Sequence, residues 1–448
     1  MLIFLFPKVG FLMFIMLGNP KLPLARREAQ KNLNDSIRKT TAQTHKLGYE
    51  NGFASTDVAE KYGHVAALAS SLSGLPPMEG NAVEVLSEYE EIIWRIVKDI
   101  DGAKKYVQLE YYVLALDETT LPVFEALGRT VDRGVDVRVM YDWWASMRTK
   151  GYRKMVDMLD EYGVLHQPML PFRLPGRGYV RPDLRNHRKL IAIDAKIGYV
   201  GSQNLIRRNY HRKDDIYYDE IVTRIEGQVV AQISAIFISD WYAETGVMLG
   251  KKELDLKPED LVVCGDSVVQ MLPSGPGYDD ENNLKVFTEL IHTAKCSITI
   301  VNPYFVPDEA LMTAITSASK RGVDVTMINS ETIDQWAVGH AQRSFYEELL
   351  KADVKLHLYK APILLHSKYI TIDGELAVVG SSNLDIRSFL LDLEVTMISY
   401  DRKVVDQLDK VTKRYLARSK PITLGNWQSR PARLLLLDNI ARLTSALQ

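Results

Sequence analysis

His187-Arg188-Lys189-Leu190-Ile191-Ala192-Ile193-Asp194, followed after six intervening residues by Gly201-Ser202-Gln203-Asn204, is the stretch whose reading decides the fold. It occurs again as His366-Ser367-Lys368-Tyr369-Ile370-Thr371-Ile372-Asp373 with Gly380-Ser381-Ser382-Asn383. The spacing is the same both times, H-x-K-x4-D-x6-G-S-x-N, and the copies lie 179 positions apart. Repetition at that distance means two similar structural units rather than a short solenoid repeat. Upstream of each copy stands a second matched block. Tyr106–Leu114 (YVQLEYYVL) and Ser297–Val306 (SITIVNPYFV) are strand-like, and each leads into a helical pattern. The turns Arg133-Gly134-Val135-Asp136-Val137 and Arg321-Gly322-Val323-Asp324-Val325 then open a further strand. Each unit therefore begins as β-α-β. The expected fold class is α/β, with two similar halves, each a mixed sheet flanked by helices, forming one pseudo-twofold active site.

At 448 residues the chain is long enough for two or three domains. Boundaries are expected as 1–80, an N-terminal apolar and basic region; 81–265, the first half; and 266–448, the second half with a C-terminal helix. Ser70–Gly80 (SSLSGLPPMEG) reads as a connector and Leu254–Gly265 as the join between halves. Hydrophobic residues at 46% and charged residues at 25% exclude a disordered or fibrous chain. With 55 basic and 57 acidic residues the net charge is -2, which argues against nucleic acid as a partner. Two cysteines, Cys264 and Cys296, cannot frame a disulfide scaffold and are expected reduced in a core.

Met1–Leu17 (MLIFLFPKVGFLMFIML) is a short apolar segment, broken by Pro7, Lys8 and Gly10. Neither apolar piece reaches the length of about 20 residues that spans a bilayer. The following Lys21, Arg26, Arg27, Lys31, Arg38 and Lys39 favour the cytoplasmic side of a membrane. A membrane-associated N-terminus tethering a catalytic body is the expectation.

Side chains two apart on a strand share a face, so His187 points with Lys189 and His366 with Lys368. Asp194 and Asp373 sit at odd offsets, which turns them away from substrate if each strand runs unbroken. Gly201 and Gly380 permit close backbone approach, and Asn204 and Asn383 bring amide donors. Imidazole, ammonium and amide converging twice make a site for a phosphate diester. Two histidines then permit two-step transfer. One attacks phosphorus, and the other protonates the leaving oxygen and deprotonates the acceptor. His187 is read as nucleophile and His366 as general acid/base. The two lysines and two asparagines already meet the developing charge, so neither metal nor cofactor is expected.

These blocks resemble the paired HKD motifs of the phospholipase D superfamily, and the likeness extends along the chain to bacterial cardiolipin synthases. KLPLARREAQ (Lys21–Gln30), Leu109-Glu110-Tyr111-Tyr112, AIFISDWYAETG (Ala235–Gly246), Pro273-Ser274-Gly275-Pro276-Gly277 and Asn383-Leu384-Asp385-Ile386-Arg387-Ser388-Phe389 carry it, with Trp427 and Arg430-Pro431 near the end. The resemblance counts Asp194 and Asp373 with the catalytic motif and makes Ser202, Asn204, Ser381 and Asn383 phosphate-binding. It suggests Glu394 as the carboxylate behind His366, and Glu220, or its neighbour Asp219, as the counterpart in the first half. It implies a cell-membrane enzyme that moves a phosphatidyl group between two phosphatidylglycerol molecules, giving cardiolipin and glycerol through a phosphohistidine. The partners implied are phosphatidylglycerol and the bilayer, with no nucleic acid; oligomeric state leaves no mark in the sequence. The family usually begins with two membrane helices, and here the first is nearly absent.

Other residues divide between function and packing. Arg387 and Ser388 reach a second phosphate or stand at a loop-to-helix junction. Glu110, Tyr111 and Tyr112 end a strand near the crevice, where tyrosine more often packs. Trp143 and Trp144 read as core. Arg433–Leu443 is amphipathic at helical spacing, with docking on the body favoured over a bilayer.

Overall fold

A computed structural model of the chain describes residues 56–172, 179–211, 213, 215–249, 262–443 and 445, together with positions 7, 8, 10, 11, 14, 18, 21–24, 26–28 and 31. The apolar segment Met1–Leu17 falls largely outside the described residues. No helix among those described is long and apolar enough to cross a membrane.

The first half runs β1 (Met78–Leu86), β2 (Tyr106–Tyr111), β3 (Asp136–Asp142), β4 (Leu165–Met169), β5 (Arg185–Asn186), β6 (Lys189–Ile193), β7 (Ile197–Gly201), β8 (Tyr217–Asp219) and β9 (Val222–Glu226). The second half repeats the pattern with β10 (Ser267–Ser274), β11 (Ser297–Val301), β12 (Phe305–Val306), β13 (Asp324–Ser330), β14 (Lys355–Tyr359), β15 (Ile363–Leu365), β16 (Tyr369–Ile372), β17 (Leu376–Gly380), β18 (Leu384–Asp385), β19 (Asp392–Ser399) and β20 (Ser419–Ile422). One path of pairing joins them, β20-β14-β13-β11-β16-β17-β19-β10-β1-β9-β7-β6-β2-β3-β4. Read outward from the antiparallel β10–β1 pair, the order on one side repeats the order on the other, which is the pseudo-twofold relation the repeat implies.

The β-α-β beginnings are as the pattern requires. β2 is parallel to β3 and β11 to β13, joined by the helices Leu121–Asp132 and Glu309–Lys320. All six residues of β2 are buried, because helices or the other half cover both faces of the sheet. Each half has its own core of side chains under its outer helices. A third core draws Leu190, Val200 and Ile225 from the first half and Val379, Val395 and Met397 from the second.

Three expectations change here. The connector shrinks: a helix holds Thr56–Ser73 and β1 starts at Met78, so the expected boundary at residue 80 lies inside a strand. That helix packs on the second half, where Lys61 Nζ donates to Glu375 Oε1 at 2.7 Å and Gln270 Nε2 donates to Ser70 Oγ at 3.0 Å. Cys264 and Cys296 are exposed rather than in the core.

Candidate active site

The two H-x-K segments sit where the chain changes sheet partners. β5 pairs in parallel with β19 of the second half, and one residue past it His187 N donates to Leu393 O at 2.8 Å. From Lys189 onward the chain is β6 and pairs with β2 of its own half. The mirror arrangement pairs β15 with β8 of the first half, His366 N donating to Asp219 O at 2.8 Å, before β16 joins β11. The unbroken strand expected through each motif is therefore interrupted at the histidine. The interruption brings each histidine against the other half.

That crossing decides the carboxylate partners. His187 Nδ1 lies 2.9 Å from Glu394 Oε1, and His366 Nδ1 lies 2.8 Å from Glu220 Oε1. The expected assignment, Glu394 to His366 and Glu220 to His187, is thus reversed, because β8 and β19 present their ends to the motif of the opposite half. Asp219 is engaged elsewhere, accepting from Tyr359 Oη at 2.6 Å. With Nδ1 donating to a carboxylate, both imidazoles are fixed in one tautomer, and neither Nε2 has a hydrogen-bond partner among the described residues.

Gly201 and Gly380 earn their place by close approach to protein, not ligand. A Cβ on Gly201 would stand 2.3 Å from Ile221 O, and one on Gly380 would stand 2.5 Å from Val395 O. This tight crossing lets Ser202 Oγ donate to Glu220 Oε2 at 2.5 Å and Ser381 Oγ donate to Glu394 Oε2. Ser202 and Ser381 are fully buried and hold the carboxylates that hold the histidines, which corrects their reading as phosphate ligands. Asn204 is partly committed: Oδ1 accepts from Val113 N at 3.2 Å and Nδ2 donates to Tyr210 Oη at 3.1 Å. Asn383 Oδ1 is buried without a hydrogen-bond partner among the described residues.

Asp194 and Asp373 stand at the far ends of β6 and β16, roughly 20 Å of strand from their histidines at about 3.3 Å per residue. Asp194 Oδ1 and Oδ2 accept from the amides of Lys104, Lys105 and Tyr106 at 2.7–2.9 Å. Asp373 does the same for Lys295, Cys296 and Ser297. Both have φ near +50°, a left-handed turn that aspartate tolerates better than most residues. The catalytic role that the resemblance gave these two is not what their contacts serve: they tie the sheet together at the edge opposite the site.

The lysines complete the pocket. Lys189 Nζ donates to His187 O at 2.7 Å and Lys368 Nζ to His366 O at 2.8 Å. Burial pushes Lys189 down to about 7 and Lys368 down to about 8, while Glu394 and Glu220 pull the other way. Burial, and then the charges of Lys189 and Lys368, hold His187 well below the ordinary imidazole value. Burial lowers His366 too, but there Glu220 opposes the shift. Burial also lifts Glu394 to about 7. His366 itself is among the charges acting on His187, which sets the two motifs near one another. Cations crowded in a dry cavity favour an anionic ligand, whose charge would return the lysines to their ordinary range.

Sequence reasoning placed Tyr112 near the crevice but missed Tyr218 and Tyr304. Tyr112 packs edge-on to His187 with centroids 4.8 Å apart, and Lys189 Nζ lies 5.1 Å from the same ring. Tyr218 and Tyr304 pack edge-on to His366 at 5.7 and 6.1 Å. Asp334 ties both, accepting from Tyr304 Oη at 2.6 Å and Tyr218 Oη at 3.2 Å. Arg387 donates to Asp183 O at 2.6 Å and to Asp392 Oδ2 at 3.2 Å, which anchors it at the wall beside His187. No local pattern marks Tyr218, Tyr304 or Asp334: Tyr304 and Asp334 meet thirty residues apart within the second half, and Tyr218 joins them from the first. Among the described residues no group of three or more His, Cys, Asp or Glu stands at metal-ligating distance.

Two H-x-K segments closing one pocket across a pseudo-twofold axis define the phospholipase D class of phosphodiester enzymes. Its fold is shared with phosphatidylserine synthase from Haemophilus influenzae, which superposes with a TM-score of 0.64 over 85% of this chain and 99% of that one at 15% identity. Within that class the chain belongs to the cardiolipin synthase family: the model of its phospholipase D-like domain matches residues 96–241 and 287–416. Cardiolipin synthase A of Proteus mirabilis is 31% identical across 100% of this chain and 91% of its own length. Cardiolipin synthase of Geobacillus thermodenitrificans is 31% identical across 99% of this chain and 86% of its own.

Proposed function

We propose that this phosphatidyltransferase joins two phosphatidylglycerol molecules into cardiolipin and glycerol at the membrane. The observation that carries the reading is the crossed pair of histidines, each with Nδ1 on a carboxylate of the other half and a buried lysine two residues further on. His187 Nε2 attacks phosphorus, the bond to the headgroup glycerol oxygen breaks, and His366 Nε2–H supplies that oxygen's proton. A phosphatidyl-histidine remains. The free glycerol hydroxyl of a second phosphatidylglycerol then gives its proton to His366 and attacks phosphorus, and the P–N bond breaks. One phosphodiester replaces another, so no energy-rich cosubstrate is needed.

The surroundings of the histidines support this order. Burial and the charges of Lys189 and Lys368 disfavour protonation of His187, which suits a nucleophile. Glu220 favours protonation of His366, which suits the acid. Lys189, Lys368 and Asn383 face the phosphoryl oxygens.

The test is product identity. Purified chain incubated with phosphatidylglycerol in mixed micelles should yield cardiolipin and glycerol in equal amounts by mass spectrometry. Phosphatidic acid and glycerol without cardiolipin would make water the acceptor and overturn the transfer reading.

A further inference from the structure

The same backbone position carries different side chains beside the two histidines. His366 N donates to Asp219 O as His187 N donates to Leu393 O, so Tyr218 stands by His366 where Asp392 stands by His187. Asp392 meets a cation, accepting from Arg387 Nε at 3.2 Å. Tyr218 meets a ring instead. It stacks on Tyr210 with centroids 4.1 Å apart and turns its edge to His366. Tyr304, between β11 and β12 of the second half, approaches His366 edge-on as well.

Both phenols donate to one carboxylate. Asp334 Oδ1 accepts from Tyr304 Oη at 2.6 Å and Oδ2 from Tyr218 Oη at 3.2 Å, so each half supplies one phenol. Among the described residues no cation is ion-paired with Asp334. Tyr218 and Tyr304 are buried, whereas Asp334 keeps part of its surface open. Its charge acts on Lys368, which sets it near the second motif. Burial, and then Asp334, raise both phenols well above the ordinary tyrosine value, so each keeps its proton and directs it to the carboxylate. Lone pairs are what this wall has left: those of the two phenol oxygens and the remaining pairs of the carboxylate. An anionic wall of acceptors repels phosphoryl oxygens and attracts groups that bring protons to share.

In the proposed transfer, His366 protonates the departing glycerol oxygen and takes the proton of the arriving hydroxyl, so the alcohol stands beside His366 in both steps. We propose that Asp334, presented by Tyr218 and Tyr304, determines which alcohol is used, by accepting hydrogen bonds from hydroxyls next to the one that reacts. The ligand class is a vicinal polyol, either free glycerol or a glycerol headgroup. A monohydric alcohol of the same length is disfavoured, because it leaves the carboxylate and the phenol oxygens unmatched. The inference rests on the transfer reading and adds to it the residue that selects the acceptor. An Asp334 that only tied the two tyrosines together would slow transfer to every alcohol alike, whereas a selecting Asp334 sets the ratio between alcohols.

The experiment is a competition. The full-length chain, with phosphatidylglycerol in mixed micelles, receives deuterated glycerol and 1-propanol together in equal excess. Transfer to the first gives deuterated phosphatidylglycerol and transfer to the second gives phosphatidylpropanol, which mass spectrometry separates. The wild-type chain should favour glycerol by about tenfold or more per primary hydroxyl. Asp334→Ala should bring that preference to within about threefold of unity. Tyr304→Phe keeps a ring against His366 and loses one acceptor, so it should lower the preference about threefold; it carries the test if Asp334→Ala does not fold. No preference in the wild-type chain would overturn the proposal. So would a preference that survives unchanged in the variants while total transfer falls, which would leave Asp334 a tie between the tyrosines. Phosphatidic acid as the only product would overturn the transfer reading itself, an outcome distinct from transfer to both alcohols without preference.

Discussion

The two halves present nearly the same pocket but rest on different foundations. In the first half the residue between His187 and Lys189 is Arg188, fully buried, bonded to Asp240 and donating through Nε to Glu394 O at 3.0 Å. Glu110 lies near it, fully buried, and burial lifts it to about 7 against the pull of Arg188. In the second half the same place is Ser367, whose hydroxyl lies 2.8 Å from Tyr415 Oη, and the strand position matching Glu110 is Val301. The chemistry at the surface of the pocket is duplicated, while the charge beneath it is not. A pseudo-twofold site can therefore give its two histidines different tasks without changing the motif itself, through residues that never touch the substrate.

The comparison breaks most sharply at the histidines. His187→Ala and His366→Ala should each lower turnover by about 10⁴-fold or more, since each removes an obligatory step. Steady-state kinetics would check this, and one variant near wild type would separate the halves into independent sites. The foundations come next. Arg188→Leu strands Asp240 in the interior and should cost about 3–5 kcal/mol of stability, as breaking a buried pair does. Ser367→Ala loses the neutral hydrogen bonds to Tyr415 Oη and Asp219 O and should cost about 1–2 kcal/mol. Denaturant titration of the two variants measures the difference directly, and equal costs would erase the distinction between the foundations.

Smaller effects sharpen the picture. Glu394→Gln and Glu220→Gln should each reduce turnover about 100-fold, with the pH profile moved most by Glu220→Gln, because Glu220 favours the protonated form of His366. Asp194→Ala and Asp373→Ala should lower stability by about 1–3 kcal/mol and leave turnover close to wild type, since each carboxylate serves backbone amides at the far edge. Finally, kcat/KM should fall as pH rises through the values near 7 and 8 of Lys189 and Lys368. Both lysines are lowered, so their cationic forms are present below those values and lost above them. A flat profile from pH 6 to 9 would remove the lysines from recognition of the free substrate.

Much of this was legible in the chain because it is local or repeated. The odd offset along HRKLIAI turned Asp194 from His187 only for an unbroken strand; the strand breaks at the histidine, and it is the length of β6 that carries Asp194 to the far edge. The duplicated spacing revealed two equivalent halves, and the two β-α-β beginnings followed. What stayed hidden is what forms between halves. Glu394 and Glu220 could be picked out as carboxylates, but their crossing depends on β5 meeting β19 and β15 meeting β8, contacts more than a hundred residues apart in sequence. Ser202 and Ser381 looked like ligands because hydroxyl chemistry fits both phosphate and carboxylate; only the tight strand crossing beside Gly201 and Gly380 assigns them to the glutamates. Trp144 read as core from its composition, and its exposure follows from the short helix that turns it outward after β3.

The most direct test of two motifs sharing one site in unequal roles is to find where the phosphatidyl group rests during turnover. Enzyme mixed with one equivalent of phosphatidylglycerol, denatured at neutral pH within a turnover and digested, would be mapped by mass spectrometry. One phosphatidyl group per chain on the peptide containing His187, with one glycerol released, is the predicted result. Label on His366, or on both histidines equally, would contradict the division of labour between the halves.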